Sequence, residues 1–277
     1  MPCRDLLCVI ESADGDLTPA FRQALAVARH EHAYLTVVSL ARHAVAPGST
    51  FGAANVGAAL HELNERARRA ASAAARTAED AARMAGLRHE VVIREASLTE
   101  AASWIGRRAR VADLTLLDRP GPVLEAREAF FEAALFETGR PVIVATPDHV
   151  SERVGHLALA WDGSRVAARA LADALSMFPE VSQVDVIIVS GDKDLSRRTP
   201  GVQVAEHLAR REIHANVIEV SKIGDNVART IDHAARSAGA DLIVAGGFGH
   251  SRLREFVLGG VTRELSQSAC LPVLLAH

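Results

Sequence analysis

The sequence predicts an α/β fold in which one unit of alternating strands and helices occurs twice. Short apolar runs alternate with helical patterns along all 277 residues, which is typical of parallel sheets covered by helices. The repeat has concrete anchors, because Ala112-Asp113-Leu114 corresponds to Ala240-Asp241-Leu242 and Arg140-Pro141-Val142 corresponds to Leu271-Pro272-Val273. The length is sufficient for two domains of ordinary size.

The first half predicts five strands joined by four helices. Its apolar strand patterns cover residues 6–10, 35–40, 89–93, 112–117 and 141–145. Its helical patterns cover residues 18–30, 57–85, 98–110 and 125–137. The second of these helices is rich in Ala, Glu and Arg, which favour helix intrinsically.

The second half predicts the same order of elements. Its strand patterns cover residues 157–161, 184–189, 215–220, 241–245 and 271–275, and helical patterns cover 164–177, 201–212 and 225–238, with a further helix just beyond Gly260. The halves meet at the polar, proline-containing stretch 147–152, which is typical of a linker. We therefore predict domains at residues 1–147 and 153–277.

Composition and charge restrict the partners. The formal net charge of −3 argues against a nucleic-acid surface, and no apolar run approaches the length that spans a membrane. The first residues lack the basic-then-apolar order of a signal peptide. Three cysteines without Cys-x-x-Cys spacing argue against disulfides or a zinc site and fit a cytoplasmic protein. Cys8 and Cys270 lie in apolar strand patterns and are expected in the core, whereas Cys3 is a candidate for exposure.

A glycine-rich stretch follows the fourth strand of the second half. Gly246 and Gly249 come directly after the apolar run, and Gly259-Gly260 precedes a helical pattern. Glycines let backbone N–H groups approach a phosphate, and a helix N-terminus adds unpaired donors and a favourable dipole. The alternative is a pair of ordinary glycine-rich turns. A Walker-type phosphate loop is excluded, because the only lysines, Lys193 and Lys222, lie elsewhere.

These glycines resemble the signature of the universal stress protein family, Gly-x2-Gly-x9-Gly-Ser/Thr. Gly246, Gly249 and Gly259 match it in register, Gly260 stands where the family has Ser or Thr, and Thr262 matches the family's last hydroxyl position. The whole chain resembles the tandem members of this family. The resemblance implies two tandem Rossmann-like domains of the adenine nucleotide alpha hydrolase-like type, each a five-stranded parallel sheet with helices on both faces. It also implies that the domains pair through their last strands, here within one chain.

The resemblance also implies a nucleotide site in the second half. Asp162 would lie at the base and ribose, with backbone groups of Ala160 and Trp161 beside the base and Val189 as an apolar contact to it. Gly246, Gly249, Gly259, Gly260, Val261 and Thr262 would surround the phosphates. The residues themselves leave alternatives open: Asp162 or Ser164 caps the next helix, Trp161 stacks on the base or fills the core, and Val189 is plain core.

The first half lacks these features. Alignment of the fourth strands places Asp118 at the position of Gly246 and Gly121 at that of Gly249, with no later glycine pair. A carboxylate brings like charge to a phosphate site, so we predict no nucleotide in this half. Asp118 is expected to cap a helix or to be solvated, and the alternative is an ion pair with Arg119 or with an arginine of the other half.

The leading hypothesis is a cytoplasmic stress-response protein that binds ATP or a related adenine nucleotide, with magnesium, and presents an altered surface to an unidentified protein partner. The alternative is a ligand-free module for dimerisation or partner docking. A slow nucleotide hydrolase ranks last, because no spacing suggests a catalytic triad or a metal site. Beyond the internal pairing of the domains, a homodimer is a further possibility.

Overall fold

A computed structural model of the chain describes residues 2–11, 16–44, 53–120, 125–190, 200–224, 226–247 and 260–277. In the first half, strands and helices alternate strictly: β1 (Asp5–Ile10), α1 (Pro19–Glu31), β2 (Tyr34–Arg42), α2 (Ala53–Met84), β3 (His89–Ala96), α3 (Leu98–Ala109), β4 (Leu114–Leu117), α4 (Glu125–Phe136) and β5 (Val142–Val144). The second half has the same order: β6 (His156–Ala160), α5 (Arg165–Met177), β7 (Gln183–Ser190), α6 (Gly201–Ala209), β8 (His214–Ser221), α7 (Val227–Ser237), β9 (Leu242–Gly246), α8 (Gly260–Ser268) and β10 (Val273–Ala276).

The strands form one sheet in the order β3-β2-β1-β4-β5-β10-β9-β6-β7-β8. Neighbouring strands are parallel within each half, and the only antiparallel pair among the named strands is β5 with β10, in which Ile143 lies opposite Leu274. Each half therefore has the strand order 3-2-1-4-5 of a doubly wound fold. The predicted fold class is confirmed: each half is a five-stranded parallel sheet of the Rossmann-like type with helices on both faces.

Two apolar cores cover the two faces of the sheet. One core holds residues of α1, α2, α5 and α6, such as Phe21, Ala74, Leu171 and Val204. The other holds residues of α3, α4, α7 and α8, such as Ile105, Phe131, Ile231 and Leu265. Each half thus contributes two helices to each face, and both cores continue across the β5–β10 junction.

Local signals explain where several helices begin and end. The Thr18 hydroxyl accepts a hydrogen bond from the backbone N–H of Phe21 at the start of α1, where Pro19 is the first helical residue. Ser97 and Glu100 form a capping box at the start of α3. Helix α6 ends at Ala209 rather than at the predicted residue 212, because Glu212 has a left-handed φ of 61° that a continuing helix does not allow.

Two of the expectations about cysteines were wrong. Cys3 is buried, and its backbone N–H donates to the Met177 carbonyl at 3.2 Å. Burial is also the main reason that the pKa of the Cys3 thiol lies far above its usual value. Cys270 is exposed, because it lies in the turn before β10 rather than in the strand. Cys8, in contrast, is buried in β1 as expected.

The polar stretch between the halves is fastened to both of them. The Gln23 side chain of α1 accepts from the backbone N–H of Ser151 and donates to its carbonyl, both at 2.9 Å. The Ser151 hydroxyl donates in turn to the carbonyl of Asp241, just before β9. Among the described helices, none is both long and apolar enough to cross a lipid bilayer.

Candidate functional site

The candidate site lies at the carboxyl ends of β6 and β9. These neighbouring strands flank the point where the strand order of the second half reverses, because β6 leads outward to β7 and β9 leads inward to β10. Ligands of open α/β sheets bind in the crevice at such a point. Here the crevice is bordered by the turn after β6, the end of β9 and the first turn of α8.

Gly246 is the residue at which the elements of the site meet. A Cβ atom built on it would lie 2.6 Å from the backbone nitrogen of Ala167 and 2.7 Å from Cγ2 of Val166, both in the first turn of α5. Real Cβ atoms do not approach other atoms so closely, so β9 can end against α5 only with glycine here. From the sequence, this glycine was expected to let the backbone approach a phosphate. In the structure, it is required for the packing of β9 against α5.

The turn after β6 is held by its own polar side chains. The Asp162 carboxylate accepts a hydrogen bond from the backbone N–H of Ser164 at 3.0 Å, and the Ser164 hydroxyl accepts from the N–H of Ala167 at 3.2 Å. Ser164 is therefore the N-cap of α5, and Asp162 closes the turn before it. The capping role that was left open for these two residues is present, with Asp162 still half-buried at the crevice.

The three apolar candidates around the base position lie on both faces of the sheet. Trp161 is only 8% exposed and belongs to the core under α5 and α6, while its backbone N–H donates to the carbonyl of Ile187 at 2.9 Å and extends the β6–β7 pairing. Ala160 and Val189 are partly buried against the opposite core. Trp161 therefore fills core space.

Helix α8 begins at the crevice and is tied to the end of β9. The Thr262 hydroxyl donates to the carbonyl of Gly246 at 3.5 Å, and Thr262 is buried. Gly260 is the first residue of α8 and is exposed, and a Cβ on it would find no atom within 4 Å. Val261 follows it, partly buried against the core. Among the described residues, the helix start thus has free space at the Cβ position of Gly260 and is fixed to the sheet at Thr262.

The first half also contacts this site, which the sequence did not reveal. A Cβ on Gly247 would lie 3.0 Å from Cδ2 of Leu135 in α4. The Gly247 carbonyl accepts a hydrogen bond from Nδ1 of His277 at 2.9 Å, and the His277 ring packs edge-on against Phe136 with 5.1 Å between ring centroids. No spacing signal connects these residues, because the contact depends on how the two halves pair.

The remaining glycines of the motif, Gly249 and Gly259, lie outside the described residues, as do His250 and Arg252. Within the described ranges, no group of three or more His, Cys, Asp or Glu side chains is arranged to hold a metal ion. In the described parts of the candidate site, the polar groups at the crevice include the Asp162 carboxylate and the backbone at the start of α8.

In the first half, Asp118 occupies the position that Gly246 has in the second half. Its Oδ1 atom accepts a hydrogen bond from the backbone N–H of Ala20 at 2.8 Å, so the carboxylate caps α1. Asp118 is only 8% exposed, and this burial raises the pKa of its carboxyl group, against the opposing effects of the Ala20 N–H and of Arg127. The expected capping role of Asp118 is confirmed. The carboxylate therefore lies against the first turn of α1, as Gly246 lies against that of α5.

Comparisons with known proteins show which family and which fold the chain is similar to. Residues 154–277 match the model of the universal stress protein family. Over its full length the chain is similar to a universal stress protein from Archaeoglobus fulgidus DSM 4304, with a TM-score of 0.66, 16% sequence identity, and coverage of 98% of this chain and 96% of that chain. It is also similar to a functionally unknown protein from Pseudomonas aeruginosa PAO1, with a TM-score of 0.53, 15% identity, and coverage of 99% and 92%. No curated protein matches the chain.

Proposed function

Residues 154–277 are a universal stress protein domain, and from this premise we propose that the chain binds one molecule of ATP or a related adenine nucleotide in its second half. The observation that carries the proposal is the meeting of three elements at Gly246. The first turn of α5 packs on this glycine, and Thr262 of α8 donates to its carbonyl. A crevice built in this way at the reversal point of a parallel sheet has the position and the backbone donors that a nucleotide requires.

The phosphates are proposed to bind at the start of α8. The first N–H groups of a helix have no partner within the helix, and they carry the positive end of its dipole. Gly260 has no side chain of its own at this end, and within the described part of the chain no further atom lies within 4 Å of its Cβ position. Backbone groups of Gly249, Gly259, Gly260 and Val261, with the Thr262 position behind them, form the proposed phosphate cradle. Magnesium would be held mainly by the phosphates and by water, as is usual for nucleotide-bound Mg²⁺.

The base and ribose are proposed to bind at the ends of β6 and β7. Asp162 is half-buried there, and carboxylate oxygens are suitable acceptors for a ribose hydroxyl. The backbone beside Ala160 and Trp161 and the apolar side chain of Val189 border the base. Because the Trp161 side chain lies in the core, we assign the base contact to its backbone and not to ring stacking.

We propose binding without catalysis as the function. The family assignment favours a nucleotide-dependent change of surface over turnover, and slow hydrolysis would be a side reaction. A bound nucleotide would fix the glycine-rich segment and α8, and this altered surface would be recognised by a protein partner, in the cytoplasm. The same surface would serve if two copies of the chain associate.

Titration with Mg-ATP tests the proposal. Gly260→Asp places a carboxylate at the start of α8 in open space, so we expect the fold to remain and the affinity to fall at least about tenfold through charge repulsion. Gly57→Asp is the matched control, because Gly57 in α2 is also exposed and also has no atom within 4 Å of its Cβ position. Equal affinity of both variants and the parent protein would place the nucleotide elsewhere.

One observation favours a second candidate, the ligand-free docking module. Asp162 and Thr262 already make local hydrogen bonds, to the N–H of Ser164 and the carbonyl of Gly246, so the polar side chains of the site have structural roles without a ligand. If the parent protein binds no adenine nucleotide in the same titration, this candidate replaces the first one.

A further inference from the structure

A groove of about 700 Å³ separates α5 from α6 on one face of the second half. It exists because the two halves differ there: α6 has 9 residues, whereas its counterpart α2 has 32. The short helix packs on β7 and β8, and among the described residues it leaves the groove between itself and α5. Ligand pockets in proteins commonly have volumes of about 300 to 1,000 Å³, so the groove is large enough for a small molecule.

The two walls of the groove differ in chemistry. The α5 wall carries Ala168, Leu171, Ala172 and Leu175 and is apolar apart from Ser176 at its end. Ala168, Ala172 and Ser176 are exposed and small, so no side chain of this wall fills the space. Leu171 and Val204 lie at the bottom and are each only 5% exposed. The groove therefore has an apolar floor and one apolar wall that a ligand could contact.

The opposite wall is polar and basic. Gln203, His207 and Arg211 follow at intervals of four residues along α6 and the turn after it, and all three are exposed. The Nε atom of Arg211 donates to Nε2 of His207 at 3.2 Å, which fixes the guanidinium beside the groove. None of the described lining residues is acidic. The Arg211 guanidinium carries a full positive charge, and no carboxylate lies beside it among the described lining residues, so the groove favours an anionic ligand. Guanidinium groups bind carboxylates with two parallel hydrogen bonds.

We propose that this groove binds an amphiphilic carboxylate, a molecule with an extended apolar body and one carboxylate group. The apolar body lies along Leu171, Ala172 and Leu175, and the carboxylate contacts Arg211. The site is separate from the proposed nucleotide site, and the proposal holds whether or not a nucleotide binds at α8. Trp161 lies at the groove and at the end of β6, so a ligand in the groove contacts a natural fluorophore.

Intrinsic fluorescence provides the test. The chain has two tryptophans, and Trp104 lies in α3 of the first half, so Trp104→Phe leaves Trp161 as the single reporter. Decanoate, below its micellar concentration, is the probe, with decan-1-ol and decyltrimethylammonium as the uncharged and cationic probes of equal chain length. We expect a saturable change of Trp161 fluorescence with decanoate, weaker binding of decanol and the weakest binding of the cation.

Variants of the two walls identify the site. Arg211→Ala is expected to weaken decanoate binding about tenfold while leaving decanol unchanged, because only the carboxylate uses the guanidinium. Arg210→Ala is the matched control, since Arg210 is the exposed neighbour that does not line the groove. Ala172→Phe fills the groove from an exposed position and is expected to abolish binding of all three probes without changing the thermal unfolding of the protein.

Three results would overturn the proposal: no saturable change with decanoate, binding of the cation as tight as that of the anion, or equal losses in Arg211→Ala and Arg210→Ala. None of these results bears on nucleotide binding, which is measured separately at the start of α8.

Discussion

At the scale of single residues, two glycines of the same motif have opposite surroundings. Gly246 is pressed against the first turn of α5, whereas Gly260 faces open space. We expect Gly246→Ala to lower the free energy of unfolding by about 1–3 kcal/mol, since the new methyl group must displace backbone. Gly260→Ala is expected to change it by less than about 0.5 kcal/mol. Urea unfolding of the two variants checks this contrast, and equal effects would show that β9 does not end against α5 as described.

The buried Asp118 in the first half is expected to make the free energy of unfolding depend on pH. Burial raises the pKa of the Asp118 carboxyl group in the folded protein above its ordinary value of 3.8. The folded protein therefore holds this proton more tightly than the unfolded chain does. The resulting stabilisation is fully present below pH 3.8 and is lost as the pH rises through the raised pKa. Asp118→Asn keeps an acceptor for the N–H of Ala20 and does not titrate. We therefore expect the stability of the parent protein to fall relative to Asp118→Asn as the pH rises above 3.8 and through the raised pKa, measured by urea unfolding. A difference that stays constant with pH would contradict this account.

At the scale of elements, the amino-terminal edge of the outer three strands is held by one polar cluster around the buried Asp185. Asp185 of β7 accepts from Asn216 of β8 at 2.8 Å and lies 2.7 Å from Nε2 of His156 in β6. Its side chain is only 2% exposed. Removing the carboxylate deprives the half-buried His156 and the exposed Asn216 of their shared partner, so we expect Asp185→Ala to cost about 1–3 kcal/mol of unfolding free energy.

An exposed ion pair provides the comparison for Asp185. Arg263 of α8 lies 3.3 Å from Glu128 of α4, with half of the arginine side chain exposed. Such pairs contribute at most about 1 kcal/mol, so Arg263→Ala should leave the unfolding midpoint in urea nearly unchanged. If Asp185→Ala were as mild as Arg263→Ala, the cluster would not hold the three strands together.

The elements were largely predictable from the sequence, while the contacts between them were not. Apolar periodicity predicted the strands and helices to within a few residues, because each element buries one face along its own length. The same apolar pattern wrongly predicted that Cys270 is buried. Cys270 lies in the turn before β10, and an apolar pattern does not show which turn residues are exposed. The contacts of Gly247 with Leu135 and His277 depend on residues far apart in sequence, and periodicity carries no information about them.

At the scale of the whole molecule, the antiparallel pairing of β5 with β10 joins two similar halves into one sheet. The pairing brings α4 of the first half against Gly247, directly beside the proposed nucleotide site. The first half therefore contacts the second half beside that site, while its own Asp118 caps α1 at the position equivalent to Gly246. The five-stranded parallel sheet of each half followed from the resemblance to a known family, and the predicted difference between the halves followed from the residues at positions 118 and 246.

The number of nucleotides bound per chain tests this asymmetry most directly. It is measured by equilibrium titration of the nucleotide-free protein with Mg-ATP, with any nucleotide that the purified protein carries first released by denaturation and identified by mass. The account predicts one adenine nucleotide per chain. Two per chain would contradict the prediction that the first half, with Asp118 at the position of Gly246, binds no nucleotide, and none would contradict the proposed site at α8.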